Sequence, residues 1–313
     1  MKEAKYTGRM RARKVAQFDG HTGSIYTLED ATEPHLFYSG SDDRMVVEWN
    51  LAHPHQNRAI AKLTEKAFAL KYIPEKQLLL AGNYTGGIHV IDLIKNKEIK
   101  LLQLHHTIIF DIQYLPDKEW FFALAADGTY SVWTVNGFDL VTNQRLGNYK
   151  LRSIDFCKQR NEAAIGCGDG TVRIIDIDTF EEKAMRIGHK KDFSVNTVKY
   201  HPHGTFLLSG SRDAYLNLWD VDNSYKLAHQ IPAHNYAIYS IVFSPDGKQF
   251  ATGSRDKTVK IWDANTVKLL LRISPGEQDG HTNSVNKLMW SNYNNYLLST
   301  GDDRTIKVWE ISE

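Results

Sequence analysis

Apolar and polar residues alternate along most of the chain in runs of five or six, and the runs are separated by clusters of Gly, Asp, Asn, Ser and Pro. The stretch from Ala233 to Asn265 shows the pattern most clearly. Alternating runs cover Tyr239 to Phe243, Gln249 to Gly253 and Thr258 to Trp262, divided by Ser244-Pro245-Asp246-Gly247 and Ser254-Arg255-Asp256-Lys257. A period of two broken by turn-forming residues predicts antiparallel strands joined by hairpins. A lone three-stranded sheet cannot bury both of its faces, so such a unit has to stack against copies of itself.

The copies are anchored by the last residues of the third strand. Trp49-Asn50, Ile91-Asp92, Trp133-Thr134, Ile175-Asp176, Trp219-Asp220, Trp262-Asp263 and Trp309-Glu310 follow one another at intervals of 42, 42, 42, 44, 43 and 47 residues. That is the period of a four-stranded propeller blade. With these anchors the chain resembles the WD-repeat β-propeller family over nearly its whole length. The expected fold is all-β: one seven-bladed propeller of four-stranded antiparallel blades, at about 19–62, 63–104, 105–146, 147–187, 188–231, 232–273 and 280–313.

Ring closure is expected from the two ends of the chain. Ala12 to Phe18 alternates like a strand ahead of the first Gly-His pair, whereas the last repeat stops after its third strand. The N-terminal strand, 11–18, is therefore expected to complete blade seven and remove two open sheet ends, as the family resemblance also implies.

Composition narrows the function classes. Lys plus Arg number 38 against 37 Asp plus Glu, and a formal charge of +1 supplies no global attraction to nucleic acid or anionic membrane. No apolar run approaches the roughly 18 residues of a membrane helix, and no signal-peptide core follows the N-terminus. The expectation is a cytoplasmic monomer without membrane contact. Residues 1–10 read as a polar, basic tail: Lys2, Lys5, Arg9, Arg11, Arg13 and Lys14 stand against Glu3 alone in the first 14 positions. Cys157 and Cys167 lack zinc spacing and are expected to be buried free thiols.

A polar set recurs at fixed offsets before the anchor. His21, Ser39, Asp43 and Trp49 in the first repeat match His234, Thr252, Asp256 and Trp262 in the sixth, and His281, Ser299, Asp303 and Trp309 in the seventh. The fifth has Ser209, Asp213 and Trp219, with His189 displaced by a two-residue insertion. A hydroxyl, an imidazole and a carboxylate could make a hydrolase triad. A set repeated around a ring argues instead for structure, and the family resemblance implies a buried tetrad in which indole, hydroxyl, imidazole and carboxylate bond in turn. No catalytic residue, cofactor or metal site is expected, and His105-His106 is explained by the tetrad offset of His105. The third repeat keeps His105, Asp127 and Trp133 but places Ala123 at the hydroxyl position. The second (Leu63, Ala81, Thr85, Ile91) and the fourth (Gly147, Ile165, Asp169, Ile175) are expected to rely on apolar packing and to be the softer blades.

The family resemblance also implies where a partner sits: on one ring face lined by the residues 25 and 23 before each anchor and by the residue before the turn Asp. Carried over, these positions give an aromatic sector in blades one to three, with Tyr26, Phe68, Tyr84, Ile108 and Phe110 beside Lys66. Lys150, Arg152, Arg212 and Arg255 give a basic sector in blades four to six, which also contain Tyr239. Ser24, Asp42, Ala126, Gly168, Ser194, Asn196, Ala237, Ser284, Asn286 and Asp302 fill the remaining positions. Aromatic and Arg side chains dominate interface energies, so the leading expectation is a non-catalytic scaffold for a protein or peptide segment, acidic with an apolar anchor. The alternatives are an enzyme with a central-channel site, or binding of nucleic acid or another acidic polymer through the basic tail and basic sector.

Overall fold

The structure is a computed structural model that describes residues 10–312. The charged tail inferred from the sequence falls, apart from Met10, outside the described residues. Seven four-stranded antiparallel sheets are arranged as blades. In blade one the innermost strand Ile25–Asp30 pairs with Leu36–Ser41, then Met45–Asn50, then the outer Arg58–Lys62, and blades two to six repeat this order. Blade seven is built from Val285–Trp290, Leu297–Gly301 and Ile306–Ser312, with Arg11–Phe18 as its outer strand. That closing strand runs antiparallel to Ile306–Ser312, from Arg11 opposite Ser312 to Phe18 opposite Ile306.

Alternation along each strand sends side chains to both faces of a blade, and each face packs against a neighbour. One apolar cluster joins blades two and three through Ile88, Ile112, Phe121 and Trp133. Another joins blades seven and one through Phe18, Phe37, Trp49, Leu298 and Val308. Phe18 is fully buried, its ring 5.5 Å from Phe37 and 5.4 Å from Trp49. The closing strand thus contributes to two blades at once. Cys157 and Cys167 are buried, unpaired thiols in the first two strands of blade four.

Innermost strands leave one edge unpaired around the central channel, and backbone N–H groups there need acceptors. Side chains from the preceding blade supply them. The amide of Tyr72 donates to Glu29 (3.1 Å), Ile154 to Asp111 (2.9 Å), Tyr200 to Asp155 (2.8 Å) and Leu288 to Ser240 (3.0 Å). These bonds fix neighbouring blades at the channel wall, and so fix the geometry of its mouth. Among the described residues no helix is long and apolar enough to cross a membrane.

Candidate functional site

The tetrads lie between the first three strands of blades one, five, six and seven. In blade one Trp49 Nε1 donates to Ser39 Oγ at 2.7 Å, Ser39 Oγ lies 2.7 Å from His21 Nε2, and His21 Nδ1 lies 2.8 Å from Asp43. The corresponding indole-to-hydroxyl distances are 2.8 Å for Trp219 and Ser209, 3.0 Å for Trp262 and Thr252, and 2.8 Å for Trp309 and Ser299. His189 reaches Asp213, His234 reaches Asp256, and His281 reaches Asp303 within 3.2 Å. All four imidazoles are buried, so each chain of bonds satisfies groups that water cannot reach.

Burial holds the His234 imidazole below its ordinary pKa, an effect that Asp256 only partly offsets. Burial also works against ionisation of Asp256, but bonds from His234, Thr258 and the Asn235 amide outweigh it and leave the carboxyl below the usual range. Asp303 is held at about 2 by the same balance, with His281 and Thr305 as donors. Folding therefore favours a neutral imidazole and an ionised carboxylate. On acidification the unfolded chain binds protons first at His, below about pH 6.5, and then at Asp, below about pH 4. The expected result is a thermal midpoint that is flat from pH 8 to 7, declines below about pH 6.5, and declines more steeply below about pH 4. Calorimetry in a pH series checks it, and a midpoint that rises between pH 7 and 5 contradicts it.

Blades two, three and four correct the sequence reading. Blade three does contain the missing hydroxyl, on the neighbouring strand: Ser131, directly across from Ala123, lies 2.8 Å from His105 Nε2 and accepts the Trp133 indole N–H at 2.8 Å. Thr129 Oγ1 then links His105 Nδ1 (3.1 Å) to Asp127 (2.5 Å). In blade two the same cross-strand position is His89, opposite Ala81, which lies 3.0 Å from the Asn83 amide nitrogen and 2.9 Å from Glu98. In blade four it is Arg173, opposite Ile165, which donates to Glu182 at 2.6 Å and lies over the Tyr149 ring. Blades two and four are not purely apolar here, and the expectation that they are softer loses its basis.

The channel mouth has a backbone origin. In every blade the register between the first two strands slips at one residue, and the seven slipped residues are Tyr26, Phe68, Phe110, Arg152, Asn196, Tyr239 and Asn286. A bulge at a strand end re-aims its side chain. Here it produces a collar in which side chains of successive blades meet. In every blade, too, the amide of the residue before the turn position donates to the carbonyl of the residue 25 before the anchor, as in Asp42 to Ser24 (2.8 Å) and Arg212 to Ser194 (2.8 Å). The three positions of each blade are thereby brought together. Ala237, Asn196 and Ser284 are nevertheless buried rather than presented to solvent.

Half of the collar is a continuous row. Tyr26 stacks on Phe68 at 4.3 Å with 6° between the rings, Phe68 meets Phe110 edge to face at 6.1 Å, and the Arg152 guanidinium lies 3.9 Å from the Phe110 centroid. Tyr84, 46% exposed, extends this row outward from Phe68, while Ile108 is half-buried in the strand-entry loop beside it. Charge is divided across the ring. Asp42 pairs with Lys66 at 2.6 Å and accepts from the Tyr26 hydroxyl at 3.0 Å. Lys150, Arg152, Arg212 and Arg255 join no ion pair among the described residues.

Sequence reading missed what these cations lie on. The position 26 residues before the anchor is Tyr149, Phe193 and Tyr236 in blades four to six. Arg173 lies over Tyr149 (5.5 Å), Lys190 and Arg212 over Phe193 (4.6 and 5.9 Å), and Arg255 over Tyr236 (6.0 Å). Three aromatic residues at one offset were a signal in the sequence.

The family model described as "WD domain, G-beta repeat" matches this chain at residues 12–50, 181–220, 225–263 and 274–310. The chain belongs to the WD-repeat family. The four matched stretches are those ending in the tetrad tryptophans of blades one, five, six and seven, and blades two and three and the first three strands of blade four, where the polar network is rebuilt, lie outside them. This WD-repeat chain is 25% identical over 227 residues to a guanine nucleotide-binding protein subunit beta of Zea mays, covering 66% of this chain and 58% of that protein. The similarity to the Solanum tuberosum protein of the same name is 24% over 233 residues, covering 69% and 60%. The match thus spans somewhat less than two thirds of these relatives' length. The WD40 β-propeller domain of Doa1 superposes with a TM-score of 0.82 at 18% identity, covering 97% of this chain and 98% of that one, a likeness of fold.

Proposed function

We propose that this WD-repeat propeller is a non-catalytic scaffold that holds a protein or peptide segment across the channel mouth. The aromatic row of blades one to three takes an apolar anchor, and the cations of blades four to six take acidic residues beside it. The observation that carries this reading is the unbroken contact from Tyr26 through Phe68 and Phe110 to Arg152, which sets apolar and cationic surface side by side at one opening. Aromatic and guanidinium groups of this kind are the groups that anchor interfaces. Similarity to proteins named as subunits of an assembly accords with a chain whose work is to hold other proteins.

The test uses exposed positions only, so that folding is spared. Tyr84→Ala, Arg212→Glu and Arg255→Glu combined are expected to abolish capture of the proteins that the wild type retains from an extract, with the thermal midpoint unchanged. Partners retained at the wild-type level by the triple variant overturn the reading.

A further inference from the structure

Five of the seven collar residues have their side chains engaged. Tyr26 donates to Asp42, Phe68 and Phe110 lie in the aromatic row, Asn196 donates to the carbonyl of Ile238 (2.9 Å), and Asn286 donates to that of Ile25 (3.0 Å). Arg152 and Tyr239 differ. Their polar ends make no hydrogen bond or ion pair among the described residues, and Arg152 Nε is a buried donor without an acceptor. They flank Asn196 in the collar, close enough for Tyr239 to act on the charge of Arg152.

We propose that the space between Arg152 and Tyr239 is a receptor for a single carboxylate of the bound segment. This rests on the peptide-binding reading above and makes it specific. Phe110 covers the guanidinium at 3.9 Å and Nε is shut off from water, so the group offers its two terminal Nη groups, one N–H of each pointing the same way. That fork matches the two oxygens of a carboxylate, and the Tyr239 hydroxyl supplies a further donor. Among the described residues no carboxylate fills the role: Asp42 is taken by Lys66 and Tyr26, and Asp302 accepts from Asn286 at 2.8 Å. Burial pushes the Arg152 pKa down to about 10, with Tyr239 acting in the opposite sense, so the group stays charged at neutral pH. A buried, unpaired cation is unfavourable, and an entering anion relieves it.

Either an Asp or Glu side chain or a chain terminus could bring the carboxylate, and three dipeptide-scale probes separate these. Each carries a neutral fluorophore at its N-terminus: Phe-Glu-amide, Phe-Gln-amide, and Phe with a free C-terminal carboxylate. Fluorescence anisotropy with the full chain should show one or both carboxylates bound at least about tenfold more tightly than the Gln amide, and the tighter of the two identifies the source. Arg152→Met, which keeps a stem over Phe110, should bring the carboxylate probes to the level of the amide. Arg152→Lys should recover only part of the preference, and Tyr239→Phe should weaken it several-fold. Equal affinity for Glu and Gln probes with no gain for the free terminus, or a preference that survives Arg152→Met, overturns the proposal. If that occurs while the Tyr84, Arg212 and Arg255 variant still loses its partners, the peptide-binding face stands and only the carboxylate receptor falls.

Discussion

Deletion of residues 1–18 should lower the thermal midpoint of the domain by at least about 10 °C and broaden its unfolding. The closing strand leads into blade one and is hydrogen-bonded into blade seven, where it pairs with Ile306–Ser312 along its whole length. Its ion pairs are a minor part: Arg13 meets Glu310 at 2.7 Å and Lys14 meets Asp279, but Arg13, Glu310 and Asp279 are exposed, and such pairs stabilise little. Phe18 matters more, because it is fully buried between Phe37 and Trp49 of blade one while lying on the outer strand of blade seven. Loss of a buried Phe side chain costs about 3–5 kcal/mol, against a total domain stability of about 5–15 kcal/mol. The deletion also leaves Ile306–Ser312 with an unpaired edge. Calorimetry of the two forms is the check, with Phe18→Ala separating the inter-blade core from strand pairing. A truncated chain that melts with the full-length protein shows that the ring does not depend on its closure.

What the sequence displays of this architecture follows from what repeats at short range. Alternation and turn clusters are local, and a period near 42 residues is visible because each blade meets the same two surroundings. Even the closing strand is legible, since an orphan strand at one end and a blade lacking a strand at the other imply each other. Side-chain networks are less so. The Ser131 hydroxyl occupies the place vacated at Ala123 because the two residues face each other across paired strands, a relation between positions that an offset list taken along one strand does not contain. His89 and Arg173 stand at the same cross-strand position and were passed over for the same reason. Sequence marked Tyr26, Phe68, Phe110 and Arg152 only through the family resemblance. The bulge that makes them a collar leaves the hydrophobic alternation almost unchanged, so no pattern announces it.

Ser131→Ala should destabilise the domain as much as Ser299→Ala, by about 2–4 kcal/mol in each case. In both blades one hydroxyl accepts an indole N–H at 2.8 Å and lies 2.8 Å from a histidine Nε2, so its removal strands two polar groups. His105 and His281 are both buried, and water cannot replace the lost partner without entering the core. Offsets along the sequence lead to the opposite expectation, that blade three has no hydroxyl to lose, so the comparison decides between them. Ala123→Ser alone adds an oxygen where Ser131 already serves both partners; as Ala123 is fully buried, overpacking should destabilise it by about 1 kcal/mol or more. In the double variant Ala123→Ser/Ser131→Ala the hydroxyl hangs from the facing strand, as Ser299 does in blade seven, and most of the Ser131→Ala loss should be recovered. Urea denaturation of the four proteins gives the coupling energy directly. A Ser131→Ala protein as stable as the wild type would mean that the bonds to Ser131 contribute nothing and that blade three is held by packing alone, whereas additive losses in the double variant would mean that a hydroxyl at position 123 does not take over those bonds.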